Sequence, residues 1–269
     1  LKAEESACLI FTSGATETNN WILGPIVSSL SGRTVIISSI EHPSVSEPAD
    51  VLSRRGFTVH VAPVDSNGLL RLDQFARHLT SDVALVSIMA ANNETGAIQP
   101  IAEIGRLIRK SSPAAVFHTD ATQAAGKVPI DLHSEWQEVD LLSFSAHKFH
   151  GPKGLGGLYA RPGFELLPML LGGGQEDGKR SGTSNTPALA GLAVAADLAL
   201  KTDMRAVQAL RDQFERDLTH LLPQAIIHAK GAPRLPNTSC FSLPGIIAED
   251  VADQLAAREA RQPAALLRL

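Results

Sequence analysis

A lysine stands directly after an apolar run near the middle of the chain. Residues 143–154 read SFSAHKFHGPKG, and Lys148 lies just past the predicted end of a strand. A lysine amine placed there can form a Schiff base with an aldehyde when partial burial and polar neighbours favour its neutral form. Ser145 and His147 flank the lysine and can donate hydrogen bonds to a phosphate. On its own, a lysine at a strand end is usually a solvated loop residue.

Two other predicted strand ends carry groups that suit the same ligand. Asp120 lies upstream in the segment FHTDATQ, and its carboxylate could keep a ring nitrogen of the pyridine type protonated. Residues 13–17, SGATE, follow the first predicted strand and begin a helix. The N–H groups of that helix and the Thr16 hydroxyl can hold an anion, although the same pattern fits an ordinary helix cap. Three strand ends together favour one bound ligand.

The elements that must position these residues alternate along the chain. Short apolar runs predict strands, and longer amphipathic stretches predict helices between them. This order is typical of an α/β fold with a mostly parallel central sheet flanked by helices, in which ligands bind at the carboxyl ends of the strands. The predicted strands cover residues 8–12, 34–38, 57–62, 83–89, 114–119 and 141–144, with helices from 15 and over 45–54, 72–79 and 101–108.

The chain changes character after about residue 188. An Ala-, Leu- and Arg-rich stretch over 188–222 predicts one extended or kinked helix. A turn feeding a strand is expected over 237–243, and another helix over 248–258. We therefore expect a large, ligand-binding domain over 1–195, followed by a connecting helix and part of a smaller α/β domain over 196–269.

Six motifs, in their order along the chain, resemble those of the class V aminotransferase branch of the fold-type I pyridoxal phosphate (PLP) enzymes. The resemblance is greatest to the cysteine desulfurases and selenocysteine lyases. It extends to about residue 243, and it implies the fold-type I architecture and PLP as the cofactor. The motifs are FTSGATE (11–17), EHP (41–43), NNETG (92–96), HTDATQ (118–123), SAHK (145–148) and RSGT (180–183).

The resemblance implies a role for each matched residue. Lys148 would bind the cofactor aldehyde and move the α-proton of the substrate, and Asp120 would bind the ring nitrogen. His42 would stack on the ring and help to protonate the leaving thiol. Gln123 would donate a hydrogen bond to the phenolic oxygen, with Asn93 near it or near the substrate carboxylate.

The phosphate would be held by a separate group of residues, which are Ala15, Thr16, Ser145 and His147. In relatives, the residue matching Thr183 reaches the phosphate of a neighbouring subunit. A homodimer is therefore expected.

The cysteines depart from the family pattern. Desulfurases attack the substrate sulfur with a thiolate on a loop of the second domain, and this sequence has no cysteine after Cys240. Cys8 and Cys240 each lie in an apolar run and are expected to be small buried residues. The residues from about 259 onward also depart from the family, and arginines 258, 261 and 268 are not assigned to the substrate carboxylate. The chain is expected to be truncated at both ends.

The favoured function is that of a PLP-dependent cysteine desulfurase, which converts L-cysteine to L-alanine and enzyme-bound sulfur for iron–sulfur cluster assembly or another sulfur-transfer pathway. Residues 171–176 and 185–187 instead resemble those of selenocysteine lyases more closely. Another class V aminotransferase and a catalytically incomplete PLP-binding fragment stay open. The expected partners are a small amino acid, cysteine or selenocysteine, a second copy of the chain, and a sulfur-acceptor protein.

Composition argues against several other classes of protein. The net charge of −4 and the absence of a basic stripe with interleaved aromatic residues give no field for nucleic acid. No stretch approaches the ~20 apolar residues of a membrane-spanning helix, and the first residues given do not predict a secretion signal. Two widely separated cysteines predict neither a disulfide framework nor a metal site. A cytoplasmic setting is expected, or a mitochondrial matrix in a eukaryote.

Overall fold

A seven-stranded sheet forms the centre of the computed structural model, which describes residues 9–261. The strands are β1 Leu9–Thr12, β2 Thr34–Ser38, β3 Thr58–Ala62, β4 Val83–Ser87, β5 Val116–Asp120, β6 Leu141–Ser145 and β7 Gly156–Ala160. Their order across the sheet is β1-β7-β6-β5-β4-β2-β3. Neighbours from β3 to β6 are parallel, whereas β7 is antiparallel to both β6 and β1. β1 therefore runs in the same direction as β6.

This sheet confirms the predicted α/β class with its mostly parallel strands. Five predicted strands are present with their ends within two residues of the expected positions. The sixth is present as β1, but its predicted start at Cys8 lies outside the described residues, as does the prediction that Cys8 is buried. β7 is not among the strands predicted from the sequence.

Helices cover both faces of the sheet. The helices of the first part of the chain are α1 Ala15–Trp21, α2 Val27–Ser29, α3 Pro43–Arg54, α4 Leu72–Ala76 and α5 Ile101–Ser111. A π-helical turn, Ile22–Ile26, joins α1 to α2 and contains Pro25, which has no N–H to donate to a regular helix.

Two apolar clusters form the core, one on each face of the sheet. Consecutive strand residues belong to different clusters, as Val116 and Phe117 of β5 do, because successive side chains of a strand point to opposite faces. All five residues of β2, β4, β5, β6 and β7 are buried. Such double-sided burial explains why these strands read as continuous apolar runs rather than as alternating ones.

The last part of the chain differs from the prediction in two places. Its elements are α6 Thr186–Lys201, α7 Met204–Leu221, the strand pair β8 Ile226–Ile227 and β9 Phe241–Ser242, and α8 Ala248–Arg261. The single helix expected over 188–222 is two helices, because the Asp203 side chain accepts a hydrogen bond from the Arg205 N–H and begins a new helix.

The turn and the strand expected over 237–243 are both present, but the strand is short. β9 has two residues, and Cys240 lies just before it with a half-buried side chain rather than a buried one. The turn closed by the Thr238 N–H and the Leu235 carbonyl delays the strand. The domain boundary expected after residue 195 falls inside α6, and that division stays a prediction.

Glycine at the start of β7 lets three pieces of backbone approach closely. A Cβ added to Gly156 would lie 2.4 Å from the Phe144 carbonyl oxygen and 2.6 Å from Gly14 Cα. Gly14 immediately precedes α1. The absence of a side chain at Gly156 therefore allows the start of α1 to lie against the end of β6.

We predict that Gly156→Ala lowers the free energy of unfolding by roughly 1–3 kcal/mol, the usual cost of overpacking a tight site. Urea unfolding followed by circular dichroism measures the change. Gly24→Ala is the matched control, because a Cβ there meets no atom within 4 Å. Equal stability of the two variants would contradict the close approach.

Candidate functional site

The polar residues predicted to bind a ligand lie at one edge of the sheet. β1, β2, β4, β5 and β6 all end there, because they share one direction. Asp120 is the last residue of β5, and Ser145 is the last residue of β6. Lys148 lies in a short 3₁₀ helix, Ala146–Phe149, that follows β6 directly. The topology thus places Asp120 and Lys148 on neighbouring strand ends, as the sequence predicted.

Asp120 is a buried carboxylate with fixed orientation. Only 5% of the residue is exposed. Its Oδ2 accepts a hydrogen bond from Asn19 Nδ2 at 2.8 Å, and its Oδ1 accepts one from the Thr122 N–H at 2.8 Å. Each oxygen keeps a second lone pair, so the carboxylate can still accept a hydrogen bond from a ligand.

Asn19 joins Asp120 to two further polar residues. It is fully buried on α1, and its Nδ2 also donates to Ser44 Oγ at 2.9 Å. Its Oδ1 accepts from Ser143 Oγ at 2.6 Å. All polar atoms of the Asn19 side chain are therefore bound to groups on other elements, which fixes its amide plane.

His42 connects to this network through Ser44. The His42 side chain caps α3, because its Nδ1 accepts a hydrogen bond from the Ser44 N–H at 3.1 Å. The same Nδ1 lies 2.9 Å from Ser44 Oγ. The ring itself is exposed, so its other nitrogen is accessible at the edge of the sheet.

A buried histidine lies beneath the network. His118 contacts Ser87 Oγ through Nδ1 at 2.8 Å and Ser143 Oγ through Nε2 at 3.1 Å. Burial lowers the pKa of His118 to about 4, although the nearby charge of Asp120 opposes the shift. His118 is therefore a neutral imidazole at pH 7.

The end of β6 is bonded to the start of α1. The Ala15 N–H donates to Ser145 Oγ at 2.8 Å, so this N–H is occupied, and the Ser145 hydroxyl proton is the group that a ligand could accept. His147 and Lys148 are exposed. Burial and the charges of Lys148 and Lys153 lower the pKa of His147.

A second lysine approaches Lys148. Lys127 Nζ donates to Gln123 Oε1 at 2.9 Å, one helical turn away in sequence. Partial burial and the charge of Lys148 lower the pKa of Lys127 to about 8. Because Gln123 Oε1 is occupied, the amide group of Gln123 is left with its N–H donors for a ligand.

Glu41, beside His42, is a carboxyl group in an apolar setting. Its Oε1 accepts from Ser38 Oγ at 2.5 Å and from the Met89 N–H at 2.8 Å. Its Oε2 is buried with no hydrogen-bond partner among the described residues. Burial raises the pKa of Glu41 to about 8, with a further contribution from Asp120. Glu41 is therefore protonated at neutral pH.

The other predicted site residues are exposed and less constrained. Thr16 lies in the first turn of α1. Asn93 follows β4, where the neighbouring Asn92 shapes the turn by accepting hydrogen bonds from the Glu94 and Thr95 N–H groups. Thr183 lines a cavity of about 110 Å³ together with Ser13 and Arg180.

Sequence reasoning missed several residues of the site. These are Asn19, Glu41, Ser44, Lys127 and His118. A signal was available for Lys127, because a Gln and a Lys four residues apart can pair on one helical turn. No local signal identified Asn19, whose partners lie on α3, β5 and β6.

Comparison with known proteins agrees with this arrangement. Residues 1–261 match the family model described as aminotransferase class-V. The chain is 45% identical to a cysteine desulfurase of Cereibacter sphaeroides over 242 residues, which are 89% of this chain and 62% of that protein. It is 44% identical to cysteine desulfurase NifS of Azotobacter vinelandii over 243 residues, 89% of this chain and 60% of that protein.

A solved structure of a NifS-like protein has the same fold. It matches with a TM-score of 0.89 and 40% identity, covering 94% of this chain and 70% of that one. The chain thus spans about three fifths of the length of the curated relatives it matches.

Membrane-spanning helices and metal-binding clusters are both absent from residues 9–261. No helix in that range is both long and apolar enough to cross a membrane. No group of three or more His, Cys, Asp or Glu side chains in that range is arranged to hold a metal ion.

We predict that Glu41→Gln removes a pH-dependent loss of stability. The folded protein keeps the Glu41 proton up to about pH 8, whereas the unfolded chain loses it near the ordinary value of 4.5. Glu41 therefore lowers the free energy of unfolding increasingly as the pH rises through this window, by at most about 1.4 kcal/mol per pH unit. Urea unfolding at pH 5 and pH 8 should show the variant gaining stability over the wild type.

The opposite effect of His118, whose lowered pKa makes stability rise between about pH 4 and 6.5, is present in both proteins and cancels in their difference. Glu47→Gln, an exposed position on α3, is the control. A difference between Glu41→Gln and wild type that is flat with pH would show that Glu41 is ionised in the folded protein.

Proposed function

Since the chain belongs to the class-V aminotransferase family, we propose that it binds PLP through Lys148 and is the cofactor-binding part of a cysteine desulfurase. The strongest support comes from two groups at the ends of neighbouring strands. These are the buried, oriented carboxylate of Asp120 and the exposed amine of Lys148. The relatives that are 44–45% identical to this chain are cysteine desulfurases, which favours cysteine as the substrate.

The donor set fits the chemistry of this cofactor. PLP has a cationic ring nitrogen, an anionic phenolic oxygen, a phosphate and an aldehyde. Asp120 offers an acceptor with free lone pairs, and Gln123 offers N–H donors. Thr122 Oγ1 is buried beside Asp120 with no hydrogen-bond partner in the described part of the chain, so a polar group of the site is free to bind a ligand.

The roles of the protein residues follow from this placement. When bound, PLP withdraws electrons from the α-carbon of an amino acid. Lys148 Nζ would hold the aldehyde carbon and serve as the base for the α-proton. Asp120 would keep the ring nitrogen protonated. His42, exposed above the strand ends, would stack on the ring and protonate the departing sulfur.

The remaining contacts are proposed from the same pattern. Ser145, His147 and Thr16 would hold the phosphate, with Ala15 acting through its hydrogen bond to Ser145. Asn93 would lie near the phenolic oxygen or near the substrate carboxylate. Thr183, exposed in the loop after β7, would reach the phosphate of a second copy in a homodimer. The sulfur-acceptor protein stays a prediction of the resemblance, and the cytoplasmic setting stays a prediction from the sequence composition.

Cys240 does not suit the role of sulfur acceptor. Burial and the nearby charge of Glu94 raise the pKa of its thiol, which favours the thiol over the nucleophilic thiolate. We therefore assign no catalytic thiol among the described residues, and the proposal concerns cofactor binding and the activation of cysteine.

We predict that Lys148→Ala abolishes covalent cofactor binding and leaves the fold intact. Wild-type chain mixed with PLP should show a visible absorbance band, and borohydride reduction with peptide mapping should locate the adduct on Lys148. Lys153→Ala, in the same exposed segment, should keep both signals. An adduct that persists in Lys148→Ala would refute the assignment.

A second prediction concerns the Asp120 carboxylate. Asp120→Asn should slow exchange of the α-hydrogen of L-alanine in D₂O, followed by NMR, on the order of a hundredfold or more, because a preorganised charge at the ring nitrogen is lost. PLP should remain trapped on Lys148. Exchange at the wild-type rate would contradict the role of Asp120.

The substrate class is tested by the products formed from L-cysteine. An added dithiol would take the sulfur in place of a protein thiol, so the PLP-loaded chain should release alanine and sulfide while the dithiol is oxidised to its disulfide. Amino transfer to a 2-oxo acid, without alanine, would overturn the desulfurase proposal in favour of an aminotransferase.

A further inference from the structure

The hydrogen bonds around Asn19 have one consistent direction. The Asn19 amide must present Nδ2 to Asp120, because a carboxylate accepts hydrogen bonds and an amide oxygen there would be repelled. The second Nδ2 hydrogen is then donated to Ser44 Oγ. One buried amide therefore donates to two partners on different elements.

The direction continues from Ser44 to His42. The Ser44 N–H is only a donor, so the His42 Nδ1 that accepts from it carries no proton. Ser44 Oγ accepts from Asn19 and can donate its own hydrogen to the same Nδ1. The neutral His42 ring therefore carries its proton on Nε2, the nitrogen that does not face the helix.

The other side of Asn19 is fixed in the same way. Ser143 Oγ donates to Asn19 Oδ1, so it must accept from His118 Nε2–H. His118 Nδ1 then accepts from the Ser87 hydroxyl. Asn19 Oδ1 thus accepts from Ser143, while Asn19 Nδ2 donates to Asp120 and to Ser44. No other assignment satisfies every one of these atoms with a neutral His118.

We propose that Asn19 and Ser44 are positioning residues that hold the Asp120 carboxylate and the His42 ring in one hydrogen-bonded unit, with the proton of His42 placed on Nε2. The functional value of this unit rests on the proposed function, in which Asp120 and His42 serve the same cofactor. Asn19 acts directly on Asp120 and reaches His42 only through the Ser44 hydroxyl. The two residues are thus separable by experiment.

The test measures directly which ring nitrogen of His42 carries the proton, in the chain without cofactor. Nitrogen-15 NMR of histidine-labelled chain distinguishes the protonated ring nitrogen from the accepting one, and His42→Gln identifies the signals. Ser44→Ala should shift the His42 nitrogen signals, and Ser44→Thr, which keeps the hydroxyl, should restore them. Ser46→Ala, the same substitution two residues along α3, is the matched control and should leave them unchanged.

Asn19→Ala should shift the His42 signals in the same direction, although Asn19 does not touch His42. It should also weaken PLP binding roughly tenfold, because Asp120 loses a donor to a charged group, whereas Ser44→Ala should weaken it less. Unchanged His42 signals in folded Asn19→Ala would overturn the proposal. If Asn19→Ala does not fold, unchanged signals in Ser44→Ala would overturn it instead.

Failure of the proposed function gives a different result. In that case, wild-type chain forms no adduct with PLP, while the His42 signals of the variants still report on the network. A merely structural role for Asn19 and Ser44 would lower the melting temperature and leave the His42 signals where they are, which also overturns the proposal.

Discussion

Burying the Asp120 carboxylate at the end of a central strand imposes demands on everything around it. A buried anion is costly unless hydrogen-bond donors replace water. Asn19 and the Thr122 N–H supply those donors. Two ionisable neighbours of Asp120 are neutral at pH 7, since burial keeps Glu41 protonated and His118 unprotonated. The Asp120 carboxylate is therefore held in a fixed orientation by hydrogen-bond donors, beside these two neutral groups.

The antiparallel strand β7 explains how the donor on α1 reaches that carboxylate. β7 lies between β1 and β6, so β1, which leads into α1, is two strand positions away from β6. Gly156 removes the side chain that would separate α1 from β6, and the bond from Ala15 to Ser145 joins them. Asn19, one turn further along α1, then lies over Ser143 and Asp120.

Much of this could be predicted from the sequence, for physical reasons. Strands buried on both faces give continuous apolar runs, and a shared direction places their carboxyl ends together, so the neighbourhood of Asp120 and Lys148 followed from pattern alone. The network did not follow, because the strand order 1-7-6-5-4-2 is what brings Asn19 to Asp120 and to Ser44. From the sequence alone, an Asn inside a helix is expected to lie on the surface, whereas Asn19 is buried in the folded protein. Asp203 is of a residue type that commonly caps a helix N-terminus, but the helical pattern on both sides of it predicted one continuous helix.

The charges at the edge of the sheet are arranged asymmetrically. The end of β5 holds the buried anion Asp120, while the Lys148 side holds a second cation, Lys127, whose pKa is lowered partly by Lys148. Lys127 also donates to Gln123 Oε1, so the N–H donors of that amide are the groups left for another partner. An anion at one end and cations with N–H donors at the other suit a ligand with the opposite polarity. The ring of PLP carries a cationic nitrogen and an anionic phenolic oxygen, so under the proposed function the field of the site would orient PLP before Lys148 forms a bond.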